Sequence, residues 1–300
     1  MGEIATGEIV GAAIVSHHPG LMQSDDFRVK VGAGRDSDLI AGYARLRERI
    51  EAARPDLLVI FDTHWFTTGF HLIDAGAHYC GRYTSDEMPW YLNGLTYDYR
   101  GDPAFARLVQ SVAEERAISA MAVDTPDLPR QYATLNVIHH LRASIPVVTI
   151  GNCQNCNSAS FLEMGATVGE AIRRSGKRVV LLASGALSHK FSDIDFEQKH
   201  ERIFHPDNIS SQDNVASDRE AIALFAEGRH DTIIERFPDV YARIPWEGLG
   251  GHYLQMIGAL GGTECRAPGE ALSEYENARG TGNIHIWFDV AGQLAHGEAA

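Results

Sequence analysis

The sequence predicts an α/β fold: one domain over residues 1–300, with a central, mostly parallel sheet flanked by helices and an active site at the C-terminal ends of its strands. Three observations carry this. Apolar runs of strand length, Ile9–Val15, Leu57–Phe61 and Val179–Ala183, show no polar alternation, as in strands covered on both faces. Segments with helical apolar spacing lie between them, and alternating strands and helices argue for a parallel sheet. Each run also passes into a polar cluster containing histidine: Ser16-His17-His18-Pro19-Gly20, Asp62-Thr63-His64-Trp65, and Ser184-Gly185-Ala186-Leu187-Ser188-His189. Ligands of open parallel sheets sit outside the carboxyl ends of the strands, so three histidines past three such ends can converge on one site.

The elements follow in order. The first strand covers residues 8–15, and residues 19–35 read as loop. A helix runs from about Asp36 to Ala53. Leu39, Tyr43, Leu46 and Ile50 recur at intervals of four, three and four, which makes one apolar stripe. Ser37 or Asp36 caps its start and Pro55 ends it. Strand 57–62 completes a βαβ unit, and Phe70–Asp74 is a short strand. Ala75–Asp98 reads as a long loop rich in aromatic residues (Tyr79, Tyr83, Trp90, Tyr91, Tyr97); such loops are functional or form assembly interfaces. Pro103 opens a helix to about Glu115. Strand 119–123 and a proline-containing loop lead to Tyr132 and a helix over 133–142. Strand 146–150, a polar loop over 151–158, helix 159–174 and strand 178–183 follow. Residues 190–214 are charged and irregular. Helices are predicted over 215–227, 229–236 and 248–260, then a strand over 283–289 and a frayed last ten residues.

The 300 residues are 44% hydrophobic and 22% charged, the balance of a soluble globular protein. A net charge of −14 argues against binding a nucleic-acid backbone, and an anionic substrate would need a local basic pocket. No apolar run approaches the roughly 20 residues that span a bilayer. The first residues lack the basic and apolar regions of a signal peptide. Cys80, Cys153, Cys156 and Cys265 are too few for a disulfide framework. The expected setting is reducing cytoplasm, with neither nucleic acid nor membrane as partner.

Several residues point to chemistry. His17 and His64 are either neutral imidazole metal ligands or two hydrogen-bonded histidines at loop starts, and His18 is an equal candidate by chemistry. Glu247, among glycines and beside Trp246, is either a third ligand or a helix N-terminal glutamate favoured by the dipole. Two histidines and one carboxylate leave coordination positions open and mark non-haem Fe(II) oxygenases, yet hydrolytic zinc uses the same ligand types. His189 reads as an acid/base group, its ordinary pKa of about 6.5 suiting proton transfer at neutral pH, or as a capping or core histidine. Tyr132 either hydrogen-bonds a bound oxygen or simply packs. Cys153-x-x-Cys156 matches half a zinc site or a redox pair, but no second pair follows. His139 and His140 read as structural, a contribution from His252 stays open, and Gly248-Leu249-Gly250-Gly251 lacks the dinucleotide fingerprint.

Ser16-His17-His18-Pro19, Phe61-Asp62-Thr63-His64-Trp65, Tyr132-Ala133-Thr134, Ala183 through His189, and Glu247-Gly248, in this order and at these intervals, together resemble a known family. It is the class III extradiol ring-cleavage dioxygenases, the protocatechuate 4,5-dioxygenase catalytic-subunit family, and the resemblance spans roughly residues 8–290. Gly81 through Pro89, Leu95 through Tyr99 and Gly101-Asp102-Pro103 look most like its homoprotocatechuate-cleaving members. The resemblance implies that His17, His64 and Glu247 bind Fe(II), that His189 is the acid/base histidine, and that Tyr132 stands where members have histidine or tyrosine. It implies extradiol cleavage of a catechol by O2 to a ring-opened semialdehyde, with a 3,4-dihydroxyphenylacetate-like substrate favoured, by a homo-oligomer, dimer or tetramer. The rivals are an o-aminophenol or bicyclic catechol substrate, a zinc hydrolase, and a non-enzymatic binding relative.

Overall fold

The computed structural model describes residues 6–142, 144–208 and 211–290; the tail expected to fray lies outside them. In chain order the elements are β1 (Glu8–Val15), α1 (Asp25–Val31), α2 (Asp38–Ala53), β2 (Leu57–Thr67), β3 (His71–Asp74), β4 (His78–Tyr83), β5 (Leu95–Arg100), α3 (Pro103–Glu115), β6 (Ala120–Val123), α4 (Tyr132–Leu141), β7 (Val147–Cys153), α5 (Ser158–Ser175) and β8 (Arg178–Ser184). After the irregular stretch come α6 (Gln212–Ala226), α7 (His230–Arg236), α8 (Val240–Arg243), α9 (Gly251–Ala259), β9 (Gly269–Ala271), β10 (Glu276–Ala278), β11 (Thr281–Asn283) and β12 (Ile286–Phe288). The main sheet has eight strands in the order β6-β3-β7-β2-β8-β1-β12-β9. Its centre, β7-β2-β8-β1, is parallel, and β3 and β12 flank it antiparallel. The result is a single α/β domain with a mixed, mostly parallel sheet.

The central strands lack alternation because both of their faces are covered. Leu57, Val59, Phe61, Val179, Leu181 and Ala183 face one core with Phe105, Phe161 and Ile257. Leu58, Ile60, Val180 and Leu182 face the other, with Leu39, Tyr43 and Leu46. Residues two apart share a face, so one strand feeds both layers. The stripe on α2 is fully buried, and burial of each Leu or Ile contributes about 1.5–3 kcal/mol, which anchors that helix. Ser37 Oγ accepts from Leu39 N at its start, and Arg54 turns left-handed at φ 48° just before Pro55.

Six sequence readings need correction. Residues 25–31 are helical, not loop; α1 carries no apolar stripe and is held instead by buried Arg28, which donates to Asp25 (2.6 Å) and Asp36 (2.9 and 3.0 Å). The aromatic-rich loop is largely an antiparallel hairpin, β4 with β5, and Tyr79 packs against Tyr99 across it at 4.9 Å. β2 runs on to Thr67 and β7 to Cys153, beyond the apolar runs that announced them. The helix expected over 248–260 starts only at Gly251. The late strand expected over 283–289 is shortened to β12; Asn283 instead ends β11, with which Glu276–Ala278 pairs as an unforeseen hairpin arm.

Candidate metal centre

His17 follows the end of β1, His64 lies inside β2, and β8 sits between the two strands, paired with both. The sheet order therefore brings the two histidines to neighbouring places at the carboxyl edge. Pairing of β2 with β8 stops at Asp62–Ser184, and its register against β7 shifts between Phe61 and Phe66. In that break Asp62 Oδ1 accepts from the backbone N–H of His64 (2.7 Å) and Trp65 (2.9 Å). Its Oδ2 accepts from Thr134 Oγ1 at 2.5 Å. The carboxylate takes over where the ladder fails and fixes the backbone that carries His64. Asn136 Nδ2 donates to the carbonyls of His17 (2.9 Å) and His18 (3.1 Å) and does the same for β1.

Glu247 arrives on a different device. Gly248, Leu249 and Gly250 have φ values of 55°, 59° and 73°, a left-handed turn that a right-handed helix cannot continue. This is why the glycine run stops α9 from reaching back to Glu247. A Cβ on Gly248 would lie 2.9 Å from Asn152 Nδ2 and 3.0 Å from Thr63 Cγ2, so the turn presses on the ends of β2 and β7. Glu247 N donates to Leu187 O (3.2 Å) and His189 N to Pro245 O (2.8 Å), which ties this turn to the segment after β8.

The three side chains meet. Glu247 Oε1 lies 3.0 Å from His17 Nε2 and 2.9 Å from His64 Nε2. Their ligand atoms all fall within 4.8 Å of one another, the one such group of three among the described residues. The protonation of the rings follows from their outer contacts. Ser184 Oγ donates its single proton to Ala133 O (2.8 Å), so it accepts from His17 Nδ1–H (2.9 Å). His64 Nδ1 faces Glu87 Oε1 at 3.0 Å. Both Nε2 atoms are thereby turned toward Glu247, whose Oε2 accepts from Ala186 N (2.6 Å). Two imidazole nitrogens and a carboxylate oxygen at this spacing need a shared cation or a proton, and the donor set fits a divalent transition metal. The electrostatics of the cluster agree. Burial alone would lower His64, but Glu247 and Glu87 outweigh it and lift the ring to about 10. Burial would raise the Glu247 carboxyl, but His17, His189 and His64 hold it well below the usual carboxylate range.

His189 Nε2 stands 3.9 Å from Glu247 Oε1, beyond hydrogen-bond length, with its ring edge-on to Phe191 at 4.8 Å. Burial lowers its pKa, with His64 and His17 adding to the effect against Glu247, so the ring is neutral at pH 7. Tyr132 opens α4 with its hydroxyl 2.7 Å from His64 Nε2. His18 is not among the three ligands: its Nδ1 accepts from Gly20 N (3.1 Å), though the ring lines the same cavity. His252 is buried behind Gly185. Cys156 Sγ contacts His71 Nε2 at 3.2 Å, away from the centre, and His140 stacks on Tyr43 in the α2 layer. Glu87 and Ser184, which orient the two histidines, carried no role in the sequence reading. Ser184 was visible as the residue closing a buried strand; Glu87, 23 residues from His64, stood inside the Gly81–Pro89 segment that carried the resemblance, but nothing there singled it out as a partner of His64.

A cavity of about 480 Å³ opens over the centre, walled by Phe27, Met88, Trp90, Tyr91 and Phe191. That is the size and apolar character of a small-molecule site.

Comparison with known proteins places the chain among relatives. The chain is 26% identical over 258 residues to 3,4-dihydroxyphenylacetate 2,3-dioxygenase of Escherichia coli, covering 85% of this chain and 91% of that protein. It is 29% identical over 320 residues to the 2-aminophenol 1,6-dioxygenase beta subunit of a Pseudomonas species, covering 99% and 100%. An uncharacterized Escherichia coli protein of solved structure superposes with a TM-score of 0.61 at 19% identity, over 92% of this chain and 98% of that one, which speaks for the fold. Residues 11–289 match the family described as the catalytic LigB subunit of aromatic ring-opening dioxygenase, and with that match over nearly the whole chain, the chain belongs to that family of ring-cleaving enzymes.

Proposed function

We propose that the protein is an Fe(II)-dependent extradiol dioxygenase that opens a catechol ring with O2 to a semialdehyde, favouring a 3,4-dihydroxyphenylacetate-like substrate. The observation that carries this reading is the approach of His17 Nε2, His64 Nε2 and Glu247 Oε1 to within 4.8 Å beneath an apolar cavity. In it, His17 and His64 bind the metal through Nε2 while Ser184 and Glu87 hold their Nδ1 protons. Glu247 supplies the one anionic ligand, with Oε2 kept on Ala186 N. When bound, Fe(II) supplies open coordination positions for both catechol oxygens and O2. His189, neutral and free of a strong partner, takes the proton from a substrate hydroxyl and returns it to an oxygen as the ring opens. Tyr132 directs its hydroxyl at the same edge, where it can hydrogen-bond a bound oxygen. The apolar walls give the ring a surface to pack against.

The same reading takes residues 1–300 as one catalytic domain, cytoplasmic and homo-oligomeric; sedimentation of the purified chain checks the assembly. Among the described residues, no helix is long and apolar enough to cross a membrane. An o-aminophenol substrate is the second reading, favoured by the similarity to the 2-aminophenol enzyme over nearly the whole chain. One experiment tests both: protein loaded anaerobically with Fe(II) is given O2 with catechol, 3,4-dihydroxyphenylacetate or 2-aminophenol, and O2 uptake and the ultraviolet–visible spectrum are followed. Uptake coupled to a yellow product with a catechol is expected. Uptake with 2-aminophenol alone moves the assignment to the second reading, and no uptake with any of the three rejects both.

A further inference from the structure

Among the described residues, a single arginine or lysine lines the cavity above the centre: Arg279. We propose that Arg279 reads a carboxylate on the ring substituent, so that the pocket selects anionic catechols over neutral ones; this rests on the ring-cleavage reading and names its substrate class. Three observations support it. First, Arg279 is in the wrong place for its backbone. Ala278 pairs with Thr281, so Arg279 and Gly280 are the two central residues of the β10–β11 turn, at φ 50° and 93°. A two-residue turn with both φ positive suits Asn-Gly, and a left-handed arginine gains nothing from that conformation. Unfavourable backbone kept at the wall of a site points to use of the side chain.

Second, the guanidinium makes no hydrogen bond or ion pair with the described residues, whereas both carboxylates of the cavity are engaged, Glu87 by His64 and Glu247 by His17 and His64. A net charge of −14 disfavours an approaching anion, and a free guanidinium is the group that reverses this locally and can grip a carboxylate with paired N–H bonds. Third, the turn is fixed to the chemistry. His189 bridges Thr281, Lys190 N donates to Gly280 O (3.2 Å), and Ser192 N donates to Arg279 O (3.2 Å). The turn that carries Arg279 is thus held in register with the segment carrying the acid/base candidate.

The test compares kcat/KM for 3,4-dihydroxyphenylacetate with that for 4-methylcatechol, in the Fe(II)-loaded protein and in Arg279→Asn, Arg279→Lys and Arg279→Glu. Asparagine suits the left-handed position, so Arg279→Asn is not expected to lower Tm. The acid-to-neutral ratio is expected to fall about ten- to hundredfold in Arg279→Asn, the scale of a charge-assisted hydrogen bond. It should fall further in Arg279→Glu and recover in part in Arg279→Lys, with the change mostly in KM because the contact is remote from the reacting bond. A wild-type preference for 4-methylcatechol, or an unchanged ratio in Arg279→Asn, overturns the proposal. Calorimetric binding of 4-hydroxyphenylacetate separates the two claims. If no catechol is cleaved but this acid binds and Arg279→Asn weakens it at least tenfold, the carboxylate site stands and the ring-cleavage reading falls. If the acid binds wild type and Arg279→Asn alike, the carboxylate site falls whatever the turnover.

Discussion

At the scale of single residues, the centre separates side chains that would hold a metal from those that would do chemistry beside it. His189 is close enough to act on a bound substrate and too far from Glu247 to be spent on it, at 3.9 Å. His189→Phe is therefore expected to keep its metal while kcat falls about 10²-fold or more, the usual loss for an acid/base group. Metal content by mass spectrometry and O2 uptake check both halves, and near-wild-type turnover removes His189 from the mechanism. Glu87 acts through another residue. Its carboxylate holds His64 Nδ1 at 3.0 Å and is itself kept low by that contact, against its partial burial. Loss of such an outer partner typically weakens metal binding 10–100-fold. Glu87→Gln should do so, with Glu87→Asp recovering part of the affinity; equal metal affinities in Glu87→Gln and wild type would reduce the contact to a surface ion pair.

At the scale of elements, legibility followed periodicity. The parallel centre and α2 were readable because long apolar runs and a four-three-four stripe admit few alternatives. The β4–β5 hairpin was hidden by its own composition. Leu95-Thr96-Tyr97-Asp98-Tyr99 alternates apolar and polar as a strand should, but the density of aromatic residues between Tyr79 and Tyr97 drew the reading toward loop. α1 was hidden for the opposite reason, since ion pairs of Arg28 hold it and ion pairs leave no period. His17, His64 and Glu247 were readable as a set only through family resemblance; spacing alone left His18 open, and only the sheet order and the Gly248–Gly250 turn give the three a common place. That turn carries its own test. Gly251 has helical angles (φ −58°), where alanine gains about 1 kcal/mol of helix propensity. Its Cβ, however, would meet Asn152 Oδ1 at 2.1 Å and Phe161 Cε1 at 2.7 Å. Overpacking costs about 1–3 kcal/mol, so Gly251→Ala should lose stability on balance and displace Asn152 from Gly248 O. Thermal unfolding should show a Tm lower by a few degrees with weakened metal binding, and a higher Tm means the glycine is there for another reason.

At the scale of the whole molecule, the centre joins β1, β2, the segment after β8 and the Gly248–Gly250 turn, so its ionisation is linked to the stability of the fold. In the metal-free protein a proton on His64, lifted to about 10 against an ordinary 6.5, answers the charge of Glu247 and Glu87. A raised histidine contributes stability that is full below the unfolded pKa and is lost as pH rises through the folded one, here between about 6.5 and 10. Glu247 is held low, so its contribution is present above the ordinary carboxylate pKa of about 4.3 and lost as pH falls through its depressed value. Metal-free protein should therefore lose stability between about pH 7 and 10 more steeply than His64→Phe does. A metal ion bound through His64 Nε2 must displace that proton. Uptake of Fe(II) or Mn(II) at pH 7 is expected to release about one proton, and the apparent affinity to rise with pH over the same interval. Calorimetric titration in buffers of different ionisation enthalpy measures the release directly. Metal at about a hundred times its Kd should stabilise the fold by about 2.7 kcal/mol, flattening the alkaline loss of Tm. Metal uptake without proton release at pH 7 means that the proton sits elsewhere, and the tight His17–Glu247–His64 contact is then held by hydrogen bonds that a metal does not replace.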